Sequence, residues 1–253
     1  MPEFQNFVVG YSGQEKVLPV AHNCDVRCLV KNITQPKLNT AFRSEYSENL
    51  LFFFYGRPAY RLHPNLSASS IEAVHLVAYI LDPEKMPPPH RIVAFDSGAM
   101  EADRYTDAMH PEFTKLDFEI GSDIVNASRL VSCFFGSNKN YLAGQPINAS
   151  IPATELVAKS YYALIQTPLA SDVDDRKSTV EVQYNSEIKL EADNVLAVIL
   201  PGQLLDDSKI ENFITHDLAA EPIPYHFYRA RPSDDTRVVM ELAFQYYQRT
   251  GRL

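Results

Sequence analysis

Residues 50–61 read Leu-Leu-Phe-Phe-Phe-Tyr-Gly-Arg-Pro-Ala-Tyr-Arg, which sets an arginine between a glycine and a proline at the end of an apolar run. Consecutive apolar residues belong in a core, and the Gly56-Arg57-Pro58 corner stops them abruptly, so Arg57 is expected at the end of a buried strand. Phe54, Tyr55 and Tyr60 accompany it, and a guanidinium among aromatic faces suits planar, anionic ligands. Glu181 is the second candidate. In 178–184, alternation sends Val180, Val182 and Tyr184 one way and Thr179, Glu181 and Gln183 the other. Glutamate is a poor strand former, so its place there means either a solvated outer face or a carboxylate lining a cleft. His22, closing a short apolar stretch at 17–22, is the third candidate; an imidazole at a strand end is a ligand or is satisfied by backbone.

Other groupings point to different chemistry. Asp96, Glu101, Asp103 and His110 could hold a divalent cation for metal-dependent hydrolase or nuclease chemistry, and they fit a solvated loop equally well. His22, Cys24, Cys28 and Cys133 match no established zinc spacing, so no metal is expected. Three cysteines cannot all pair and suit a reducing compartment, which implies free thiols and a cytoplasmic location. Ser97, in Asp-Ser-Gly, lacks the strand–elbow pattern of a serine hydrolase. The formal net charge of −9 argues against broad, non-specific nucleic-acid binding. Local basic clusters remain at Arg57, Arg61 and His63 and at Arg229, Arg231 and Arg237.

The elements that must position these groups are legible in outline. The 253 residues are 45% hydrophobic and 22% charged, an ordinary globular composition that fits one domain over 1–253. No apolar run reaches the roughly 18 residues of a membrane span, and residues 1–10 lack a basic segment followed by an apolar one, so neither a membrane nor secretion is expected. A first strand at 17–22 precedes a helix whose N-cap is Asp25. Residues 74–81 form a strand buried on both faces. A short strand follows at 91–98, and 96–150 reads as a polar, irregular insertion. Thr154 is expected to cap a helix carrying Leu156, Val157, Tyr161, Leu164 and Ile165, which Pro168 ends before an acidic loop at 171–176. Strands at 178–184, 195–200 and 223–229 lead to a helix after Pro232 and Ser233. Many short strands without a regular βαβ rhythm give an α+β fold.

The order of three motifs resembles the ADP-ribosyltransferases, most nearly the DarT-type nucleic-acid-modifying toxins. Such proteins open with a histidine at the end of the first strand, as at His22, with a helix behind it. They continue with an aromatic strand ending in a functional arginine, as at 52–57, and close on a catalytic glutamate in a late strand, as at Glu181, with an apolar strand behind it. The likeness covers about 18–61 and 176–204. Thr179 stands two before the glutamate, where the superfamily often has Gln or Glu, and the corner reads Gly-Arg-Pro-Ala-Tyr rather than the toxins' Arg-Ser-Pro. The resemblance implies an ADP-ribosyltransferase-like split β-sheet with peripheral helices, and NAD as co-substrate without metal. It assigns Glu181 and Arg57 as catalytic, and His22, Arg57 and either Tyr55 or Tyr60 as NAD-binding. It also implies a toxin or phage-defence effector, with an antitoxin protein as a possible partner and DNA, RNA or protein as acceptor, the stretch 96–150 helping to choose it. A non-catalytic NAD- or protein-binding module is the alternative that keeps the same fold.

Overall fold

The computed structural model describes residues 2–63, 65–105, 109–167, 175–227 and 229–253. In chain order the elements are α1 (Glu3–Gly10), β1 (Val20–Asp25), α2 (Val26–Thr34), β2 (Lys37–Leu38), β3 (Ala41–Arg43), β4 (Glu48–Tyr55), β5 (Leu76–Leu81), β6 (Arg91–Val93), α3 (Ser97–Glu101), α4 (Val125–Phe135), α5 (Asn138–Leu142), α6 (Leu156–Gln166), β7 (Glu181–Tyr184), β8 (Ile188–Lys189), β9 (Val195–Pro201), α7 (Ser208–Asn212), β10 (Glu221–Tyr225) and α8 (Pro232–Arg249). The fold is α+β, a central mixed sheet with peripheral helices. Its strand order is β10-β9-β5-β1-β4-β7-β6, with β3 on β4, while β2 and β8 form a separate two-stranded piece. Only β10 and β9 run parallel within the sheet.

The sheet is buried on both sides because its central strands carry apolar residues at every position. All six residues of β5 are buried. Val77, Tyr79 and Leu81 enter the larger core, and Leu76, Ala78 and Ile80 enter a second core closed by Val239, Ala243, Tyr246 and Tyr247 of α8. Each such Val, Leu or Ile side chain contributes about 1.5–3 kcal/mol relative to exposure. At one edge, β10 places Pro222 and Pro224 at alternate positions beside β9. At the other, β6 is three residues long.

Two neighbouring strands part company. β1 and β4 share only the pairs Val20↔Tyr55 and Ala21↔Phe54. β1 then follows β5 as far as Asp25↔Leu76, and β4 follows β7 as far as Leu51↔Tyr184. The His22 imidazole crosses the gap, with Nδ1 2.8 Å from the Phe52 carbonyl oxygen.

Several expectations shift for physical reasons. The first strand starts at Val20 rather than 17 and runs on to Asp25, because β5 pairs with it throughout. Asp25 does cap α2, accepting from the Cys28 amide at 2.9 Å. The stretch 96–150 is framework rather than loop, since it supplies α3, α4 and α5 and buries Phe118, Ile120, Leu130, Val131, Phe134 and Phe135. Its helical spacing at 127, 130, 131 and 134 is interleaved with Asn and Ser, which read as loop residues in the bare sequence. α6 forms without a side-chain cap from Thr154, and Leu156 faces solvent. Pro168 and residues 171–174 of the acidic loop lie outside the described residues. The last strand is Glu221–Tyr225, earlier than 223–229.

Candidate active site

Residues paired across antiparallel strands share a face of the sheet. The pairs Ala21↔Phe54, Phe54↔Glu181 and Val93↔Glu181 therefore set these four side chains in one row across β1, β4, β7 and β6. This is the α8 side, because Ala21 belongs to the α8 core. A second row, Phe52, Gln183 and Arg91, lies beside it.

Glu181 is not on a solvated face. It is 2% exposed, and its carboxylate accepts hydrogen bonds from Ser97 Oγ at 2.7 Å, the Ser97 amide at 3.2 Å and Gln183 Nε2 at 2.6 Å. Burial, with the neighbouring Asp96 carboxylate adding to it, pushes the carboxyl up to about 8, against the pull of these three donors. The group thus sits poised near neutrality, where a proton can be exchanged on demand. Gln183 in turn donates to Tyr46 Oη at 2.9 Å and accepts from Arg91 at 3.0 Å, and Arg91 lies over the Tyr46 ring at 4.8 Å. Asp96 caps α3 through the Ala99 amide and pairs with Arg176 at 3.5 Å.

Arg57 is placed at the same end of the β4–β7 pair. It is 2% exposed, donates from Nη1 to Ser178 Oγ at 2.8 Å, and lies 5.8 Å from the centre of the Tyr141 ring. Tyr141 Oη clasps the two segments, donating to the Tyr55 carbonyl and accepting from the Val180 amide. The corner itself depends on Gly56, whose φ of 66° is costly for any residue with a Cβ, and an added Cβ would lie 2.7 Å from Leu18 Cδ1. Gly56→Ala is accordingly expected to lower stability by about 1–3 kcal/mol, read as a drop in melting temperature; an unchanged melt would show that the corner relaxes freely. Beyond the corner, Arg57 borders a hollow of about 620 Å³ between this loop and α8, where Arg61, Arg237, Met240 and Phe244 also line the wall.

The two tyrosines separate cleanly. Tyr55 is fully buried on the larger-core face, with its hydroxyl accepting from the Leu18 amide at 2.9 Å, so its ring is part of the framework and no ligand can stack on it. Tyr60 is 39% exposed and lies nearly parallel to Phe54, with centroids 6.2 Å apart at 17°. Asn23 fixes that loop by donating to the carbonyls of Pro58 and Tyr60 at 2.9 and 2.8 Å. Tyr60 is thereby held over the row that contains Glu181.

His22 stands apart from this group. Its strand position alternates with Ala21, so it belongs to the opposite face, where its ring packs 5.3 Å from Phe53 and lines a hollow against α2. Burial lowers its pKa, and since the Phe52 carbonyl can only accept, Nδ1 carries the hydrogen of a neutral ring. The structure therefore puts Glu181 and Tyr60 on the α8 side of the sheet, sets Arg57 at the nearby strand end with its guanidinium against Ser178 and Tyr141 of the larger-core side, and leaves His22 bridging the gap between β1 and β4. Ser97, Gln183, Tyr46 and Ser178 complete the surroundings. The period-two pattern signals Gln183, but no local signal marks the other three, which long-range packing brings in. Among the described residues no three His, Cys, Asp or Glu side chains gather at metal-ligating distance. Glu101 is paired with Lys115 and Asp96 with Arg176. Compared with protein-family models, curated proteins and solved structures, the chain matches none of them.

Proposed function

We propose that the chain is an NAD-dependent mono-ADP-ribosyltransferase of the toxin or phage-defence kind, acting on a DNA, RNA or protein acceptor. One observation carries the reading: three motifs far apart in sequence become three adjacent strands, β1, β4 and β7. The first two splay as a split sheet requires, and the last holds a buried carboxylate beside the corner of Arg57.

The residues fit NAD in kind. Cleavage of the nicotinamide–ribose bond sends the bonding electron pair to nicotinamide and builds positive charge on the ribose. A fixed carboxylate offsets that charge and accepts a ribose hydroxyl. Glu181 takes this role, and the ribose hydroxyl replaces the Ser97 hydroxyl that caps the carboxylate in the free protein. Arg57 offers a rigid fork to phosphate oxygens or to the approaching acceptor, Tyr60 offers an open ring to nicotinamide, and His22 braces the split. The acceptor then attacks the anomeric carbon and gives up its proton.

Two results test this. Incubation with labelled NAD and separate pools of DNA, RNA and protein is expected to release nicotinamide and to label one pool; absence of both NAD binding and turnover would overturn the proposal. The carboxylate form is the active one, so kcat/KM is expected to fall about tenfold per unit as pH drops below about 8. Bound nicotinamide is cationic and favours the ionised carboxyl, which moves the corresponding midpoint of kcat lower. A profile flat between about pH 6 and about pH 9 would remove Glu181 from the chemistry.

A further inference from the structure

Glu181 is the inner end of a hydrogen-bonded chain that runs across the sheet to its edge. The edge strand β6 pairs Arg91 with Gln183 and Val93 with Glu181, so arginine and glutamine share the face on which the carboxylate stands. The Gln183 amide nitrogen gives one hydrogen to Glu181 Oε1 at 2.6 Å and the other to Tyr46 Oη at 2.9 Å, and its oxygen accepts from Arg91 Nη1 at 3.0 Å. Arg91 is held in turn. Its Nη2 donates to Glu48 Oε1 at 3.0 Å, Nε lies 3.5 Å from Glu119 Oε2, and the guanidinium lies 4.8 Å from the centre of the Tyr46 ring. Lys115 Nζ, 4.1 Å from the same ring centre, and His90 Nε2, 2.9 Å from Glu48 Oε2, complete the outer end.

The chain has a direction. A guanidinium can only donate and an ionised carboxylate can only accept, so an amide between them has one favourable orientation. Turned over, Gln183 would set its NH2 group against the Arg91 donors and its oxygen against the carboxylate, losing both bonds in a buried place. We propose that Gln183 and Arg91 are positioning residues for Glu181: Arg91 holds the oxygen end of the amide, which aims the nitrogen end at the carboxylate and fixes the direction in which that carboxylate meets the ribose. This role rests on the function proposed above, whereas the hydrogen-bonded order of the three side chains does not.

Gln183 and the Ser97 hydroxyl share Glu181 Oε1, so when a ribose hydroxyl takes the place of Ser97 the amide remains as the fixed bond on that oxygen. The groups around the carboxyl oppose one another. Burial and Asp96, itself paired with Arg176, favour the protonated form, and the Gln183 and Ser97 donors favour the ionised one. The Tyr46 phenol, pushed up by burial and by Glu181, stays neutral. Loss of the Gln183 donor therefore moves the Glu181 midpoint upward.

The test titrates the Glu181 carboxyl of the full chain without NAD, by difference infrared spectroscopy of protein carrying isotope-labelled glutamate, with Glu181→Gln as the blank. Gln183→Met is expected to raise the midpoint from about 8 by about one pH unit, and Arg91→Met to raise it by a similar amount. In the Gln183→Met background, Arg91→Met is expected to add less than about half of that, because the amide through which Arg91 acts is gone. Gln183→Asn, too short to reach all three partners, and Arg91→Lys, which lacks the fork, stand in where a methionine variant does not fold. With NAD present, Gln183→Met is expected to lower kcat for nicotinamide release about tenfold or more, with KM within about threefold of wild type. An unchanged midpoint in Gln183→Met, or an Arg91→Met shift as large without Gln183 as with it, would overturn the proposal. The failures are distinguishable: a wild type that does not turn over NAD ends the function proposed above, whereas a wild type that does, with either of those titrations, ends the positioning role alone.

Discussion

Glu181→Gln is expected to fold normally and to turn over NAD about 10²–10³-fold more slowly than wild type, the loss that follows removal of one preorganised electrostatic group from a reaction centre. Shape is preserved, and a neutral amide resembles the protonated carboxyl that prevails in the free protein below about pH 8. What is lost is the negative charge that the developing ribose cation needs. The same variant carries a second signature. Because the native carboxyl titrates near 8 and the unfolded one near 4.5, the unfolded chain ionises first as pH rises, and wild type loses up to about 5 kcal/mol of stability across that window. Below about pH 4 both states are protonated and the penalty vanishes. Glu181→Gln should therefore melt like wild type in acid and at higher temperature than wild type near pH 9. Undiminished nicotinamide release would end the catalytic assignment, whatever the melting curves show.

Asp235→Ala is expected to destabilise the protein by about 3–5 kcal/mol, the cost of stripping one partner from a fully buried polar pair. His75 is wholly buried, with Nδ1 2.6 Å from the Asp235 carboxylate and Nε2 3.1 Å from the Ser69 carbonyl oxygen. Its ring stacks on Phe227 with centroids 3.5 Å apart, so no water can readily take the place of the lost carboxylate. Tyr225 Oη, 3.3 Å from the same carboxylate, keeps its bond to the Leu76 carbonyl. Asp235 also sits in the first turn of α8, where a carboxylate favours the helix start. Urea unfolding should show a lower midpoint for Asp235→Ala and a smaller decrease for Asp235→Asn, which still offers an oxygen to Nδ1. A loss below about 1 kcal/mol would mean that the network contributes nothing beyond shape.

How far the sequence foretold this arrangement depends on the range of the interaction that fixes each part. Local rules served well in outline: Asp25 caps α2, the run expected at 74–81 is a strand buried on both faces from Leu76 to Leu81, and the stretch expected at 178–184 is a strand from Glu181 to Tyr184. Long-range packing defeated them. Glutamate in a strand favours solvent on composition alone, yet Ser97, 84 positions upstream, arrives to cover Glu181. Tyr55 and Tyr60 are equivalent in the bare sequence, and the Gly56 corner sends one into the core and the other over the sheet. The polar character of 96–150 hid helices because Asn and Ser fall between apolar residues that meet only after folding. His22 was grouped with Glu181 by order along the chain, but odd and even positions of β1 face opposite ways, and that parity was open until the pairing with β5 fixed it.

The rims of the sheet govern how this molecule can meet others. Pro222 and Pro224 remove the outward amide hydrogens from one margin, and a three-residue strand bridged by Glu119 closes the opposite one. Along these two margins of the described sheet a visiting polypeptide finds no extended ladder to join, which disfavours fibrillar stacking and strand donation there. Recognition is left to side-chain-lined depressions, whose selectivity can drift by point substitution without disturbing the hydrogen-bonded scaffold.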